Sequence, residues 1–141
     1  MERYLPKYIH EQHHTDYPLR GLRYRLGDLN DVIDLLKKDV GTRQAYLPVW
    51  FPEDTGVVHG ERVPCTLGYH FIVRNGLMHV NYYIRSCDFI RHFRDDIYMT
   101  CRLVFHIIDQ MGPGTIAPGT FHMHITSLHC FFNDSTVLKN Y

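Results

Sequence analysis

The dipeptide Asn75-Gly76 constrains this chain more than any other feature. Both residue types tolerate the positive φ of a two-residue β-hairpin turn, so the flanking segments are predicted to run antiparallel. Residues 69–74 on one side are rich in aromatic and β-branched side chains, and residues 77–85 alternate on the other. Met78, Val80, Tyr82 and Ile84 fall on one face; His79, Asn81, Tyr83 and Arg85 fall on the opposite one. A hairpin with one apolar face needs a second layer to cover it.

Helical segments are available for that layer. Gly27-Asp28 opens the first, with Asp28 as a capping side chain and Leu29, Val32, Ile33 and Leu36 on one face. Lys37 and Lys38 suit its C-terminal end. A longer helix is expected over residues 95–111, with Ile97, Cys101, Val104, Phe105 and Ile108 as its buried stripe. Gly112-Pro113-Gly114 stops it. Residues 45–50 read as a short strand, 52–64 as a loop, and 119–132 as a long strand with Phe121, Met123, Ile125, Ser127, His129 and Phe131 on one face. Residues 1–25 are an aperiodic lead-in, and residues 133–141 begin a final helix. The expectation is one α+β domain over residues 1–141, with a mixed sheet packed against helices.

Charge excludes some functions. Fifteen basic residues balance fifteen acidic ones, so no global field attracts nucleic acid or an anionic membrane. No apolar run approaches the roughly 20 residues that span a bilayer. The four cysteines, Cys65, Cys87, Cys101 and Cys130, contain no CxxC pair, which favours reduced thiols in a cytoplasm, or a host cytoplasm for a viral chain. His122 and His124 form an H-x-H pair on the strand that also holds His129, but no carboxylate or CxxC set accompanies them as zinc ligands.

Cys65 follows a long loop and Pro64. A lone cysteine is most often a small core side chain. As a nucleophile, its thiol, with an ordinary pKa of about 8.5, needs positive charge nearby, and Arg43 and Arg85 are candidates to supply it. Arg85-Ser86-Cys87-Asp88 closes a strand with a guanidinium fork and a hydroxyl, groups that suit a phosphate.

These segments, in order, resemble the thymidylate synthases and the phage pyrimidine nucleotide hydroxymethylases. The resemblance rests on Thr42-Arg43-Gln44-Ala45, Trp50, Pro64-Cys65, Ile84-Arg85-Ser86-Cys87-Asp88 and Ser127-Leu128-His129-Cys130-Phe131, and covers residues 26–133. It implies a thymidylate-synthase-like fold with a shortened core. It implies that Cys65 adds to C6 of a pyrimidine nucleoside monophosphate, making C5 nucleophilic toward 5,10-methylenetetrahydrofolate. Arg85 and Ser86 would hold the 5′-phosphate, and Arg43 would reach the phosphate of a homodimer partner. Asp88 would lie against the ring, and His129 would hold the sugar hydroxyl.

Family synthases carry an asparagine eight residues past that aspartate; here the position is Asp96. A carboxylate only accepts hydrogen bonds, so it opposes O4 of uracil and suits the N4 amine of cytosine. The resemblance therefore implies a cytidylate and a hydroxymethyl product, with Asp96 in the catalytic set beside Cys65 and Asp88. Two readings of Asp96 stay open here: that residue, or its neighbour Asp95, would instead be an acid complementing the helix dipole. Gln44 and Phe131 replace a family arginine and tyrosine. The catalytic glutamate, for which Glu11 is the one candidate in the lead-in, and the tail that closes over the folate have no clear counterpart. The rival functions are a thymidylate synthase acting on dUMP, a non-catalytic nucleotide-binding remnant, and half of a split enzyme completed by a second polypeptide.

Overall fold

A computed structural model describes residues 29–55 and 63–140. The lead-in with Glu11, the Asp28 cap and the middle of the 52–64 loop lie outside the described residues. In chain order the elements are α1 (Leu29–Lys38), β1 (Tyr46–Pro48), α2 (Pro52–Thr55), β2 (Thr66–Arg74), β3 (Leu77–Asp88), α3 (Phe93–Met111), β4 (Ala117–His129), a 3-10 turn (Phe132–Asp134) and α4 (Ser135–Leu138).

The four strands form one sheet in the order β1-β2-β3-β4. The Asn75-Gly76 turn forms as predicted, both residues adopting positive φ (52° and 74°). It sets β2 antiparallel to β3, with Arg74 opposite Leu77 and Tyr69 opposite Tyr82. β4 returns through α3 and pairs with β3 in parallel, so the sheet is mixed. β2 and β3 run longer than predicted, β2 beginning at Thr66 and β3 continuing to Asp88, while β1 is shorter, Tyr46–Pro48.

The apolar face of β3 forms the centre of the core, with Met78, Val80, Tyr82 and Ile84 all buried. Phe71 and Val73 of β2 join them, and α1 and α3 cover this side with Val32, Ile33, Leu36, Leu103, Val104, Ile107 and Ile108. Tyr69 stacks on Tyr82 with ring centroids 4.6 Å apart. Among the described residues no helix covers the opposite face, where Tyr83 stacks on His124 at 4.8 Å and Tyr46 meets His70 edge-on at 6.1 Å.

Three predictions need correcting. The buried stripe of α3 is Thr100, Leu103, Val104, Ile107 and Ile108, while Phe105 is exposed and Ile97 and Cys101 are only half-buried. Thr100 can occupy the core because its hydroxyl donates to the Asp96 carbonyl at 2.8 Å, which removes the cost of burying it. Residues 52–55 form a helical turn rather than a loop, with Pro52 at its first position and the Phe51 N–H donating to Asp54 Oδ2 at 2.9 Å. The strand expected over 119–132 ends at His129, so Phe131 lies beyond it, just before the 3-10 turn.

Among the described residues no helix is long and apolar enough to cross a membrane. Truncating Phe71, which is fully buried, should lower stability by about 3–5 kcal/mol; urea unfolding of Phe71→Ala followed by circular dichroism checks this.

Candidate active site

The strand directions bring three chain segments to one end of the sheet. β2 starts there, immediately after Cys65, while β3 and β4 finish there, with Ser86 opposite Ser127 and Asp88 opposite His129. In open sheets, ligands bind beyond the carboxyl ends of parallel strands. A register irregularity between Thr66 and Gly68 marks the start of β2, the kind of defect that re-aims side chains near sites.

Cys65 occupies a bend and is exposed. Its carbonyl accepts the Arg85 N–H at 2.9 Å, which docks the cysteine on β3. The Arg85 guanidinium closes over the same segment: Nε donates to the Pro64 carbonyl at 2.9 Å and Nη2 to the Val63 carbonyl at 3.4 Å. Its carbon lies 5.5 Å from the centre of the Trp50 ring, within cation–π range. No carboxylate of the described residues pairs with Arg85. Among the described residues two of its five N–H groups are committed, which leaves charge and donors for an anion beside Cys65.

Asp96 enters from the first turn of α3. Tyr82 donates its hydroxyl to Asp96 Oδ1 at 3.4 Å, and the Cys87 thiol donates to Oδ2 at 3.5 Å. Thr66 Oγ1 lies 2.8 Å from the Tyr82 hydroxyl. Burial raises the Asp96 carboxyl above the usual range and Asp95 adds to this, while hydrogen bonds from Cys87 and Tyr82 and the nearby His92 pull it down. Burial, with Asp96 next to it, pushes the Cys87 thiol up to about 12. Cys87 is therefore a hydrogen-bond donor at neutral pH, not a thiolate. Asp96 turns to the sheet, whereas Asp95 is exposed in the same helical turn.

Asp88 is 4% exposed and braces the turn into α3. Its Oδ1 accepts the N–H groups of Ile90 at 3.0 Å and Arg91 at 3.1 Å. Its Oδ2 is buried without a hydrogen bond, 3.7 Å from Arg91 Nε. Arg91 itself is drawn to Asp134 at 2.7 Å and lies over the Phe131 ring. The His129 carbonyl accepts the Phe89 N–H at 2.8 Å, and its ring meets Phe131 edge-on at 5.6 Å.

Cys65, Arg85, Ser86, Asp88, Asp96 and His129 thus gather at one end of the sheet. Arg43 does not. It is exposed, and its carbonyl meets the His70 ring, five residues along β2 from Cys65. That sets the Arg43 backbone about 16 Å from Cys65 at the rise of an extended strand. Sequence reasoning missed the Thr66–Tyr82–Asp96–Cys87 cluster. The one available signal was a tyrosine on an otherwise aliphatic strand face, since a buried tyrosine hydroxyl seeks a partner.

The thymidylate synthase family model matches residues 8–140. The chain belongs to the thymidylate synthase family. It is 28% identical over 123 residues to a Methanosarcina barkeri protein named "Putative thymidylate synthase", covering 86% of this chain and 54% of that protein. A Methanocaldococcus jannaschii protein of the same name is 27% identical over 138 residues, covering 95% and 60%. The "Thymidylate synthase" of Enterobacteria phage T4 is 28% identical over 120 residues, covering 82% and 40%. The chain spans about half the length of the curated relatives it matches.

The two site cysteines should separate chemically. Brief iodoacetamide treatment at neutral pH should alkylate exposed Cys65 well before Cys87, which is buried and held as a thiol. Peptide mass mapping over a time course measures the order.

Proposed function

We propose that this chain carries the nucleotide site of a pyrimidine C5 one-carbon transferase, with a cytidylate as substrate and a hydroxymethylated base as product. The observation behind it is the gathering of Cys65, Arg85, Ser86, Asp88, Asp96 and His129 at one end of the sheet. Arg85 and Ser86 take the 5′-phosphate, and His129 takes the sugar. Cys65 Sγ bonds to C6, and the displaced electron pair makes C5 a nucleophile toward the methylene carbon of 5,10-methylenetetrahydrofolate. Loss of the C5 proton expels tetrahydrofolate by breaking its bond to the methylene carbon. Water adds to the exocyclic methylene so formed, and cleavage of the bond between Cys65 Sγ and C6 releases the hydroxymethylated base and returns the thiolate. Asp96 accepts hydrogen bonds from the N4 amine and from protonated N3. No described residue is assigned to the folate.

The names of the relatives favour a rival substrate, dUMP. Tritium release from C5-labelled dCMP and dUMP, with methylenetetrahydrofolate, separates the two. Release should be faster from dCMP and fall to background in Cys65→Ser; faster release from dUMP assigns uracil instead. A covalent adduct with 5-fluoro-dCMP and folate, seen by intact mass and lost in Cys65→Ser, would exclude an inert remnant.

The same reading includes a homodimer joined through the open sheet face. Tyr46, Tyr83, His122 and His124 present contiguous rings there, a patch suited to self-association. The distance of Arg43 from its own Cys65 fits a role on a partner's phosphate. Tyr83→Asp should convert dimer to monomer in sedimentation velocity, and a monomeric wild type would refute the dimer.

A further inference from the structure

Asp96 has its two carboxylate oxygens anchored from the sheet by different donors. Tyr82 is fully buried and reaches Oδ1, while Cys87, 1% exposed, reaches Oδ2. Both donors come from β3, five residues apart, so they hold the carboxyl plane as well as its position. Thr66 Oγ1 at 2.8 Å in turn fixes the Tyr82 hydroxyl. A carboxylate has about four lone-pair sites. Two are used by these donors, and one on each oxygen remains for a ligand.

We propose that Tyr82 and Cys87 are positioning residues that hold Asp96 as an oriented carboxylate and thereby select cytosine over uracil. The proposal rests on the nucleotide reading above. Its chemistry turns on a single proton. To pair fully with a pyrimidine edge, the carboxyl and the base must share one proton between them. With cytosine that proton can reside on N3 or on the carboxyl, and the N4 amine donates to the other oxygen. With uracil, N3–H already donates and O4 is too weakly basic to hold a proton, so the carboxyl itself has to take it. Donors that favour the ionised carboxyl therefore disfavour uracil alone.

The surroundings of Asp96 fit this role. Facing it from β3 are Tyr82 and Cys87, with Asp88 and Cys65 acting on Cys87; from α3 come His92 and Asp95. Burial and Asp95 favour the neutral carboxyl, and the two donors and His92 oppose them. Burial outweighs the donors, so the carboxyl lies above its usual range, and loss of one donor raises it further. Tyr82 takes no part in covalent chemistry, and its hydroxyl meets Thr66 as well as Asp96, so the Asp96 titration itself is the readout.

The test uses the full chain with the Asp carboxyl carbons labelled with 13C. In Tyr82→Phe the Asp96 carboxyl should titrate about one pH unit higher than in wild type, the size expected for losing a hydrogen bond to a charged group. Cys87→Ala should move it the same way, and Cys87→Ser, which retains a donor, should restore it. Calorimetry should show the dCMP-to-dUMP affinity ratio falling in Tyr82→Phe by up to about tenfold, the factor carried by one pKa unit. An unmoved Asp96 titration in both Tyr82→Phe and Cys87→Ala overturns the proposal. So does an unmoved affinity ratio in Tyr82→Phe when wild type binds dCMP, and that result leaves the nucleotide reading standing. A wild type that binds neither nucleotide overturns the nucleotide reading, and the selectivity falls with it.

Discussion

Burial of the inward face of β3 organises this molecule. Met78, Val80, Tyr82 and Ile84 place their side chains between the sheet and the two long helices, and a one-residue slip would turn all of them to solvent. Register is therefore strongly held. The functional groups inherit that precision, because the strand that carries the core continues without interruption into Arg85, Ser86, Cys87 and Asp88. Cys65 is placed indirectly: Arg85 grips the backbone of Val63, Pro64 and Cys65 through both its guanidinium and its own N–H. One residue thus docks the cysteine and presents charge to the same space, so its deletion would remove both at once.

Period and turn chemistry made much of the fold legible. Asn75-Gly76 needs positive φ at both positions, and few other local structures use such a pair. The faces of β3 and α1 followed from spacing alone, since each has one apolar side. The phase of α3 did not. Its apolar residues are spread around much of the circumference, and two overlapping stripes share Val104 and Ile108. The sheet decides between them by accepting Thr100 with a satisfied hydroxyl and leaving Phe105 outside. A hydropathy stripe cannot register that choice, because the hydrogen bond that makes threonine suitable for a core exists only once the helix has formed.

The candidate site was legible as a grouping of residue types. A thiol, a guanidinium and a carboxylate in the family order mark Cys65, Arg85 and Asp96, and strand pairing brings them to one end of the sheet. It was not legible where position changes a residue's task. Asp88 spends one oxygen on the N–H groups of Ile90 and Arg91, so it shapes the turn that launches α3. Its second oxygen, buried and without a hydrogen bond, stays next to an arginine that Asp134 holds more closely. Cys87 has the opposite history. In sequence it is one residue of the Arg85-Ser86-Cys87-Asp88 segment, with no task assigned; burial and the adjacent Asp96 keep it protonated as a donor.

The polar cluster around Asp96 also explains a tension in the core. A tyrosine hydroxyl, a threonine hydroxyl, a thiol and a carboxyl occupy space that aliphatic side chains would fill at no desolvation cost. Each satisfies another, so the cluster is tolerable as a set and costly once any member is lost. Such networks add little net stability compared with an apolar core. What this one provides is orientation: Thr66 and Tyr82 from the sheet and Asp96 from the helix are linked across the junction where β2, β3 and α3 meet. A helix held only by its apolar stripe could rotate slightly without losing much burial area. The hydrogen bonds to Oδ1 and Oδ2 remove that freedom at the first turn of α3, which is where a nucleotide base would require it to be absent.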